Sequence, residues 1–219
     1  MIKLDILGDP TDSWSMIALV ALQAALAEAD ENPFVIEWHP LRRFAQLDPA
    51  GAPRHTILEP ALGGREGLAK HDAEITAAAT ALGREVNLHK VTHLPNPMNA
   101  LRLIHWAGLE GHQIDAVEAL QTAYFRDGAD IGDTDVLVQI ATTLGMDGLA
   151  IRRLLAGPAD AADLRAREAH SRKMGVKAVP TFIVDQHHVL AGAQTPALWL
   201  SVIKELTDSD HPPANAVLH

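Results

Sequence analysis

The chain opens with a strand that turns directly into a buried helix, and this junction limits the possible folds more than any other feature. Residues 2–7 are typical of a short strand, residues 8–11 are typical of a turn, and an apolar run starts at Ser13. Because apolar residues cover most of its helical surface, the run predicts a largely buried helix. They are Trp14, Met16, Ile17, Leu19, Val20, Leu22 and Leu26.

A long helical middle and a second β region follow this junction. Residues 34–38 predict a second strand, parallel to the first in a right-handed β-α-β unit. Residues 41–64 are rich in Pro, Gly and Asp and predict a loop. Residues 181–185 and 188–191 predict two more strands, and residues 196–206 predict a closing helix. Six helical patterns lie in between, at residues 65–82, 96–110, 114–126, 134–144, 149–155 and 161–174.

Composition excludes several classes of function. The chain has no cysteine, and dithiol–disulfide exchange needs a thiolate, so its own side chains cannot perform it. A formal net charge of −10 argues against nucleic-acid or anionic-membrane partners, which require clustered Lys and Arg. No long apolar stretch predicts a membrane span, and the N-terminus lacks a signal-like segment. We therefore expect a cytoplasmic monomer or homodimer.

Twelve histidines raise the question of a metal site. His89 and His93 have helical spacing but lie in a predicted loop, and His187 and His188 lie in a hairpin turn. Because no second ligand pair and no H-E-x-x-H motif accompany them, we expect solvated surface histidines and no metal. The chain also lacks a glycine loop of the kind that cradles phosphates, which argues against nucleotide cofactors.

Four segments together give the chain a family resemblance. They are residues 95–96 with 101–107, residues 123–133, residues 175–182 and residues 191–196. On these segments the chain resembles the DsbA-like thioredoxin superfamily. Within it, the chain is similar to the FrnE-like branch, which is close to 2-hydroxychromene-2-carboxylate isomerases and kappa-class glutathione transferases. The resemblance covers residues 2–206.

The resemblance implies an α/β thioredoxin fold with an inserted all-α-helical domain. It assigns residues 1–64 and 175–207 to the thioredoxin-like domain, 65–174 to the helical domain and 208–219 to a polar tail. It also implies that Pro180 is cis and that the backbone before it pairs with an extended peptide or with glutathione. Val179, Pro180 and Thr181 are then expected to form a ligand-facing wall of a cleft between the domains.

The chain departs from the family at the active-site motif. FrnE-like oxidoreductases have Cys-Pro-Trp-Cys where this chain has Asp12, Ser13, Trp14 and Ser15. The glutathione-using relatives place serine at the first of these positions, whereas here it is Asp12. In those relatives a Ser-Asp pair near the last strand holds the γ-glutamyl group, and the second matching residue here is Gln194. The family's catalytic residues therefore do not carry over.

Asp12 and Ser15 are the candidate catalytic residues. Asp12 is either an N-cap, a role that contributes ~1 kcal/mol over Ala, or a carboxylate that acts on a ligand. We expect the helix start to keep it ionised, which makes it only a weak base. Ser15 lacks a G-x-S-x-G turn or a neighbouring His-Asp pair, which favours an ordinary helical serine.

The candidate ligand-binding residues extend beyond the motif. Ser13 at the helix mouth can donate to a ligand thiolate or carboxylate, and Trp14 is either a ligand contact or part of the core. Asn96 and Arg102 open a later helix, where Arg102 is the best cation for a carboxylate-bearing ligand or, equally, a structural ion-pair partner. Gln194 completes the set.

Three functions remain open from the sequence. The preferred one is a DsbA/FrnE-family protein that has lost its redox motif and binds a small thiol compound or an extended peptide. The second is a glutathione-dependent isomerase or transferase of the 2-hydroxychromene-2-carboxylate isomerase type. In that enzyme glutathione is a co-substrate, and no cofactor is bound covalently. The third is a non-catalytic interaction module whose cleft has closed.

Overall fold

The structure combines six strands with helices on both sides of the main sheet. The computed structural model describes residues 1–210. Its strands are β1 (Ile2–Gly8), β2 (Phe34–Pro40), β3 (Ala52–Pro53), β4 (His93–Leu94), β5 (Thr181–Val184) and β6 (His188–Ala191). Its α-helices are α1 (Ser13–Glu28), α2 (Arg54–Leu62), α3 (Arg65–Ala81), α4 (Met98–Leu109), α5 (Gln113–Phe125), α6 (Thr134–Thr143), α7 (Gly148–Ala156), α8 (Ala161–Lys173) and α9 (Pro196–Asp210).

The main sheet is mixed, with the order β2-β1-β5-β6. β1 and β2 pair in parallel across α1, as the β-α-β pattern predicts, whereas β5 is antiparallel to β1 and to β6. In the parallel pair Gly8 lies opposite Pro40. The loops that leave β1 and β2 therefore start at the same edge of the sheet, where ligand sites of parallel sheets are usually found.

The core forms where α1 and α9 pack together beside the sheet. Leu4 and Ile6 of β1 are almost fully buried, and so is Trp199 of α9. The Trp199 ring makes edge-to-face contacts with Phe182 and Phe34, at centroid distances of 4.9 and 6.3 Å. Such pairs contribute ~0.5–1.5 kcal/mol each beyond the area that they bury. These aromatic contacts pack the closing helix, α9, against β2 and β5.

Residues 41–64 do not form the predicted loop throughout. They contain β3 and the helix α2, which has Pro60 inside it and few buried side chains. Tertiary contacts hold this segment: β3 pairs with β4, and the Arg54 N–H donates to the Thr92 carbonyl at 2.8 Å. Local sequence did not predict this helix, because its stability comes from partners that are distant in the chain.

The C-terminal helix also differs from its predicted bounds. α9 runs to Asp210, four residues beyond the predicted end at Leu206 and into the segment assigned to a polar tail. Residues 211–219 lie outside the described part of the chain. Among the described residues, no helix is both long and apolar enough to span a membrane.

Candidate functional site

A cleft of about 370 Å³ lies where the loops after β1 and β2 meet the segment before β5. We call it the α1 cleft, because the start of α1 forms its floor. The loop after β2 is Leu41 to Arg43, and the segment before β5 ends in the cis Val179–Pro180 bond. The cleft is lined by Asp12, Trp14, Leu41, Arg42, Arg43, Leu62, His71, Arg172, Lys177, Ala178 and Val179.

Asp12 caps α1 and is itself almost fully enclosed. One of its carboxylate oxygens accepts from the Ser15 N–H at 2.8 Å and from the Ser15 hydroxyl at 2.9 Å. The other accepts from Arg43 Nη1 at 2.9 Å. Both carboxylate oxygens are therefore engaged, and the hydroxyl of Ser15 is directed at the cap rather than at the cleft.

Burial raises the pKa of Asp12 above its ordinary value. The charge of Arg43 and the hydrogen bonds from Ser15 act in the opposite direction without reversing the shift. The sequence-based expectation that the helix start keeps Asp12 ionised considered only the helix start and stays a prediction. It left out desolvation, which penalises the charged form of a carboxyl group that is only 3% exposed.

A second buried carboxyl group, Asp9, lies beside Asp12. It accepts from the Thr11 N–H at 2.8 Å, from the Thr11 hydroxyl at 2.7 Å and from the Arg43 N–H at 2.8 Å. Burial nevertheless raises the pKa of Asp9 to about 6, and the neighbouring charge of Asp12 adds to this effect. No sequence signal singled out Asp9, since its burial depends on how the β2 loop folds over it.

We expect the pKa of the Asp9 carboxyl group to be about 6 rather than 3.8, the ordinary value for aspartate. Because this folded-state pKa is raised, the group's contribution to stability is fully present below about pH 4 and is lost as the pH rises through about 6. The difference between these two pKa values corresponds to about 3 kcal/mol. NMR titration of carboxyl-labelled protein measures the midpoint, with Asp9→Asn assigning the resonance. A midpoint near 4 would contradict the effect of burial.

The structure brings His71 from α3 to Ser13, 58 residues away. The Ser13 hydroxyl lies 3.2 Å from His71 Nε2, and His71 Nδ1 lies 3.2 Å from a carboxylate oxygen of Asp72. Arg54 binds the same carboxylate through two hydrogen bonds, of 2.8 and 2.5 Å. Sequence reasoning missed this chain of contacts, because nothing local links α3 to the start of α1.

Asp72 is ionised in this arrangement. Its partial burial acts against ionisation, but the hydrogen bonds and charges of Arg54 and His71 outweigh burial and lower the pKa of Asp72 to about 2. An ionised carboxylate only accepts hydrogen bonds, so His71 must carry its proton on Nδ1 when it is neutral. Its Nε2 is then the acceptor for the Ser13 hydroxyl.

Positive charge exceeds negative charge around the α1 cleft. Arg42 and Arg172 share one carboxylate, that of Glu168, at 2.7 and 3.0 Å. Arg43 pairs with Asp12, whereas Lys177 is exposed and has no acidic partner in residues 1–210. The Arg42-Arg43 pair, next to the end of a predicted parallel strand, was the sequence signal that could have located this charge.

The predicted ligand-facing wall falls partly in the cleft. Val179 lines it, and neither the N–H nor the carbonyl of Val179 has a hydrogen-bond partner in the described structure. Pro180 is buried behind it, and the Thr181 hydroxyl donates to the Ala178 carbonyl at 2.7 Å. Trp14, half-buried, forms another part of the cleft lining.

Three other candidate residues do not line the α1 cleft. Asn96 caps the start of α4 and donates to the Leu47 carbonyl at 2.7 Å. Gln194 donates to two carbonyls of its own loop, at 3.0 and 3.1 Å. Arg102 is buried and donates to carbonyls of the α7–α8 connection, among them Ala159 and Gly157. All three hold backbone segments in place.

One group of side chains has the composition of a metal site. Ligand atoms of Asp5, Glu37 and His39 lie within 4.8 Å of one another at the β1–β2 pair. The ammonium group of Lys3, however, lies 3.0 Å from Asp5 and 2.9 Å from Glu37. A cation is therefore already supplied by the chain, and the cluster behaves as an ion-pair network.

A family model described as a DSBA-like thioredoxin domain matches residues 9–204, so the chain belongs to this family. The predicted family and the α/β fold with a helical insert are confirmed. The YwbO protein of Bacillus subtilis, described as uncharacterized, is 27% identical over 170 residues, which span 74% of this chain and 78% of that protein.

Solved structures share the fold at low sequence identity. A probable DsbA oxidoreductase from Streptomyces coelicolor is 21% identical with a TM-score of 0.85, over 99% of this chain and 94% of that one. A 2-hydroxychromene-2-carboxylate isomerase is 14% identical with a TM-score of 0.71, over 95% and 97%. The cytosolic disulfide reductase DsbM from Pseudomonas aeruginosa, solved with GSH, is 21% identical with a TM-score of 0.67, over 94% and 98%.

Proposed function

We propose that this DsbA-like protein has no dithiol activity of its own and binds a small carboxylate-bearing thiol compound in the α1 cleft. The observation that carries the proposal is the free backbone edge of Val179 in the same cleft as an excess of cationic side chains. A free N–H and a free carbonyl pair with an extended peptide-like ligand. Arg42, Arg172 and Lys177 offer donors to its carboxylates.

The solved neighbours support this class of ligand. The DsbM structure holds GSH in a protein of the same fold, and glutathione is a small peptide-like thiol with two carboxylates. In this chain the cysteine-free sequence means that any thiol chemistry in the cleft must come from the ligand. We expect the ligand to be present at the concentration of such thiols in the cytoplasm, so that weak binding is sufficient.

Asp12 is the residue that opposes an anionic ligand. Its carboxylate accepts from the Ser15 N–H at the start of α1 and engages Arg43, so that part of the positive charge available to an anionic ligand is already used. Neutralising Asp12 leaves the side-chain oxygen for the cap but releases Arg43 to the cleft. The effect on binding can therefore be separated from the effect on the helix.

We expect Asp12→Asn to tighten glutathione binding about tenfold, which is about 1.4 kcal/mol. Asp12→Ser, which restores the residue of the glutathione-using relatives, should act in the same direction. Isothermal calorimetry with glutathione measures both. Asp133→Asn is the matched control, because Asp133 is also an aspartate N-cap with an extended backbone, at α6, and does not line the cleft. Tight wild-type binding that these substitutions weaken would make Asp12 a direct ligand contact and refute the proposed repulsion.

The second candidate function is a glutathione-dependent isomerase. The likeness to a 2-hydroxychromene-2-carboxylate isomerase favours it, and a substrate of that kind carries the carboxylate that the cationic cleft would bind. The test that separates the two candidate functions follows the absorbance of 2-hydroxychromene-2-carboxylate in the presence of the protein and glutathione together. Turnover that requires both the protein and glutathione would favour the isomerase function. Glutathione binding without turnover would favour the binding function.

A further inference from the structure

The contacts between Ser13, His71 and Asp72 form a serine–histidine–carboxylate relay at the start of α1. The distances of 3.2 Å from Ser13 Oγ to His71 Nε2 and of 3.2 Å from His71 Nδ1 to Asp72 are slightly long. Catalytic hydrogen bonds are often long without substrate and shorten in its complex. Such a relay activates a serine by giving its proton an acceptor of fixed orientation.

We propose that Ser13 is a nucleophile for acyl transfer and that the protein hydrolyses small acyl thioesters of a carboxylate-bearing thiol. The thiol half of this substrate rests on the proposed function, because it would occupy the same cationic cleft. The acyl half rests on the relay itself. This activity needs no cysteine and no redox partner, since the chemistry is carried by a hydroxyl group and by water.

The donors that an acyl-transfer reaction needs are present beside the serine. Ser13 and Trp14 are the first two residues of α1, and their N–H groups have no acceptor in the described structure. Asp12 caps only the N–H of Ser15. Two free N–H groups next to a nucleophile can hold the negative oxygen of a tetrahedral intermediate.

His71 is the residue that the relay and the α1 cleft share. His71 lines the α1 cleft and also borders a void of about 10 Å³ that the Ser13 residue lines. Ser13 is only 5% exposed. Because the void has room for about one water-sized group, the acyl chain must be short, while the thiol half stays in the larger cleft.

The reaction is balanced with water as the only co-reactant. Ser13 Oγ attacks the thioester carbonyl carbon as its proton passes to His71 Nε2, and the carbon–sulfur bond breaks. The leaving thiolate takes that proton. Water then attacks the acyl-serine, and its proton passes through His71 to Ser13 Oγ, which releases a carboxylic acid and restores the site.

Arg54 and Asp72 act through His71 rather than on the substrate. The two hydrogen bonds of Arg54 fix the Asp72 carboxylate, which in turn fixes the proton of His71 on Nδ1. Asp72 is therefore a positioning residue. An amide at this position can present its NH₂ group to Nδ1, which would move the His71 proton to Nε2 and remove the base.

S-acetylglutathione is the test substrate, with released thiol measured by Ellman's reagent. The cysteine-free protein contributes no background to this assay. We expect Ser13→Ala and His71→Gln each to reduce the rate at least 100-fold. Asp72→Asn should lower kcat with KM unchanged, which a loss of fold would not produce. Mass spectrometry should show an acetyl group on Ser13 of the wild type after incubation with S-acetylglutathione, and His71→Gln should abolish this labelling.

Two matched controls lie far from the relay. His112→Gln alters a histidine whose Nδ1 also faces a carboxylate, that of Asp115 at 3.3 Å, and Ser201→Ala removes an exposed serine of α9. Neither should change the rate. Circular dichroism melting of every variant separates lost activity from lost fold.

Binding and hydrolysis are measured separately so that the two proposals can fail separately. Calorimetric binding of S-methylglutathione without any hydrolysis or labelling of Ser13 would overturn the relay and leave the binding proposal standing. Labelling of Ser13 and hydrolysis of 4-nitrophenyl acetate, without binding of S-methylglutathione, would overturn both the binding proposal and the thioester assignment. Binding with hydrolysis that depends on Ser13 supports both.

Discussion

Asp12→Cys combined with Ser15→Cys is expected to give this protein the thiol–disulfide exchange activity that the wild type lacks. The side chains at these positions already face each other, since a carboxylate oxygen of Asp12 lies 2.9 Å from the Ser15 hydroxyl. The first turn of a helix brings two such Cα atoms within the ~4.4–6.8 Å that a disulfide needs.

The electrostatics of the site should also activate the new thiol at position 12. It would lie at the start of α1, where Arg43 Nη1 now contacts the carboxylate at 2.9 Å. Both features favour a thiolate and act against burial, which raises the pKa of the Asp12 carboxyl group now; a thiol pKa below ~8.5 would show that they outweigh burial. Val179 in the same cleft offers a substrate peptide an N–H and a carbonyl that have no hydrogen-bond partner in the described structure.

Insulin reduction by dithiothreitol measures the gain. The wild type and the single variants should stay at the background rate, and the double variant should exceed it by at least tenfold and lose two mass units on oxidation. A double variant that folds normally but stays reduced under oxidant would show that the helix start does not hold the redox geometry. Wild-type turnover above background would contradict the requirement for a thiolate.

Arg102→Ala is expected to lower the free energy of unfolding by about 3–4 kcal/mol. The buried guanidinium donates to the carbonyls of Leu154, Gly157 and Ala159, at 2.5, 2.7 and 2.7 Å. It also lies 4.9 Å from the centre of the Trp106 ring. Its removal leaves three part-buried carbonyls without their donors and takes away the packing against Trp106, and both losses destabilise the folded state.

Urea unfolding measures this loss, with Arg167→Ala as the control. Arg167 is an exposed arginine of α8 paired with Asp163 at 2.8 Å, and such pairs contribute ~0.2–1 kcal/mol. The loss of stability in Arg102→Lys should lie between the losses in Arg102→Ala and Arg167→Ala. An ammonium group cannot reach all the carbonyls that the planar guanidinium group of Arg102 contacts. Glutathione binding by folded Arg102→Lys should be unchanged. Weakened binding at full stability would instead place Arg102 in the ligand site.

The sequence predicted the elements whose signals are local. The helix after β1, the six helical patterns of the middle and the strand before residue 188 all appear near their predicted bounds. Each depends on side-chain periodicity within one element, which the backbone geometry translates directly into a buried face. The family resemblance added the architecture, because four separate segments matched at once.

The helix α2 shows where local signals fail. It forms in a stretch whose Pro60 and polar residues predict a loop, since β4 and the Thr92 carbonyl stabilise it from outside. The four-residue extension of α9 beyond Leu206 is a smaller error of the same kind, at a helix end where local signals are weakest.

The residues of the candidate site also fall into two groups, those that the sequence identified and those whose roles depend on the tertiary structure. By itself the sequence determined that the chain has no thiol, that Asp12 and Ser15 lie one helical turn apart and that a proline precedes β5. Only the tertiary structure decided that His71 meets Ser13 and that Arg102 is a structural residue. It also decided that burial governs the pKa of Asp12 and Asp9. Residue identity and spacing are properties of the chain, whereas desolvation and contacts across 58 residues exist only once distant segments have packed together.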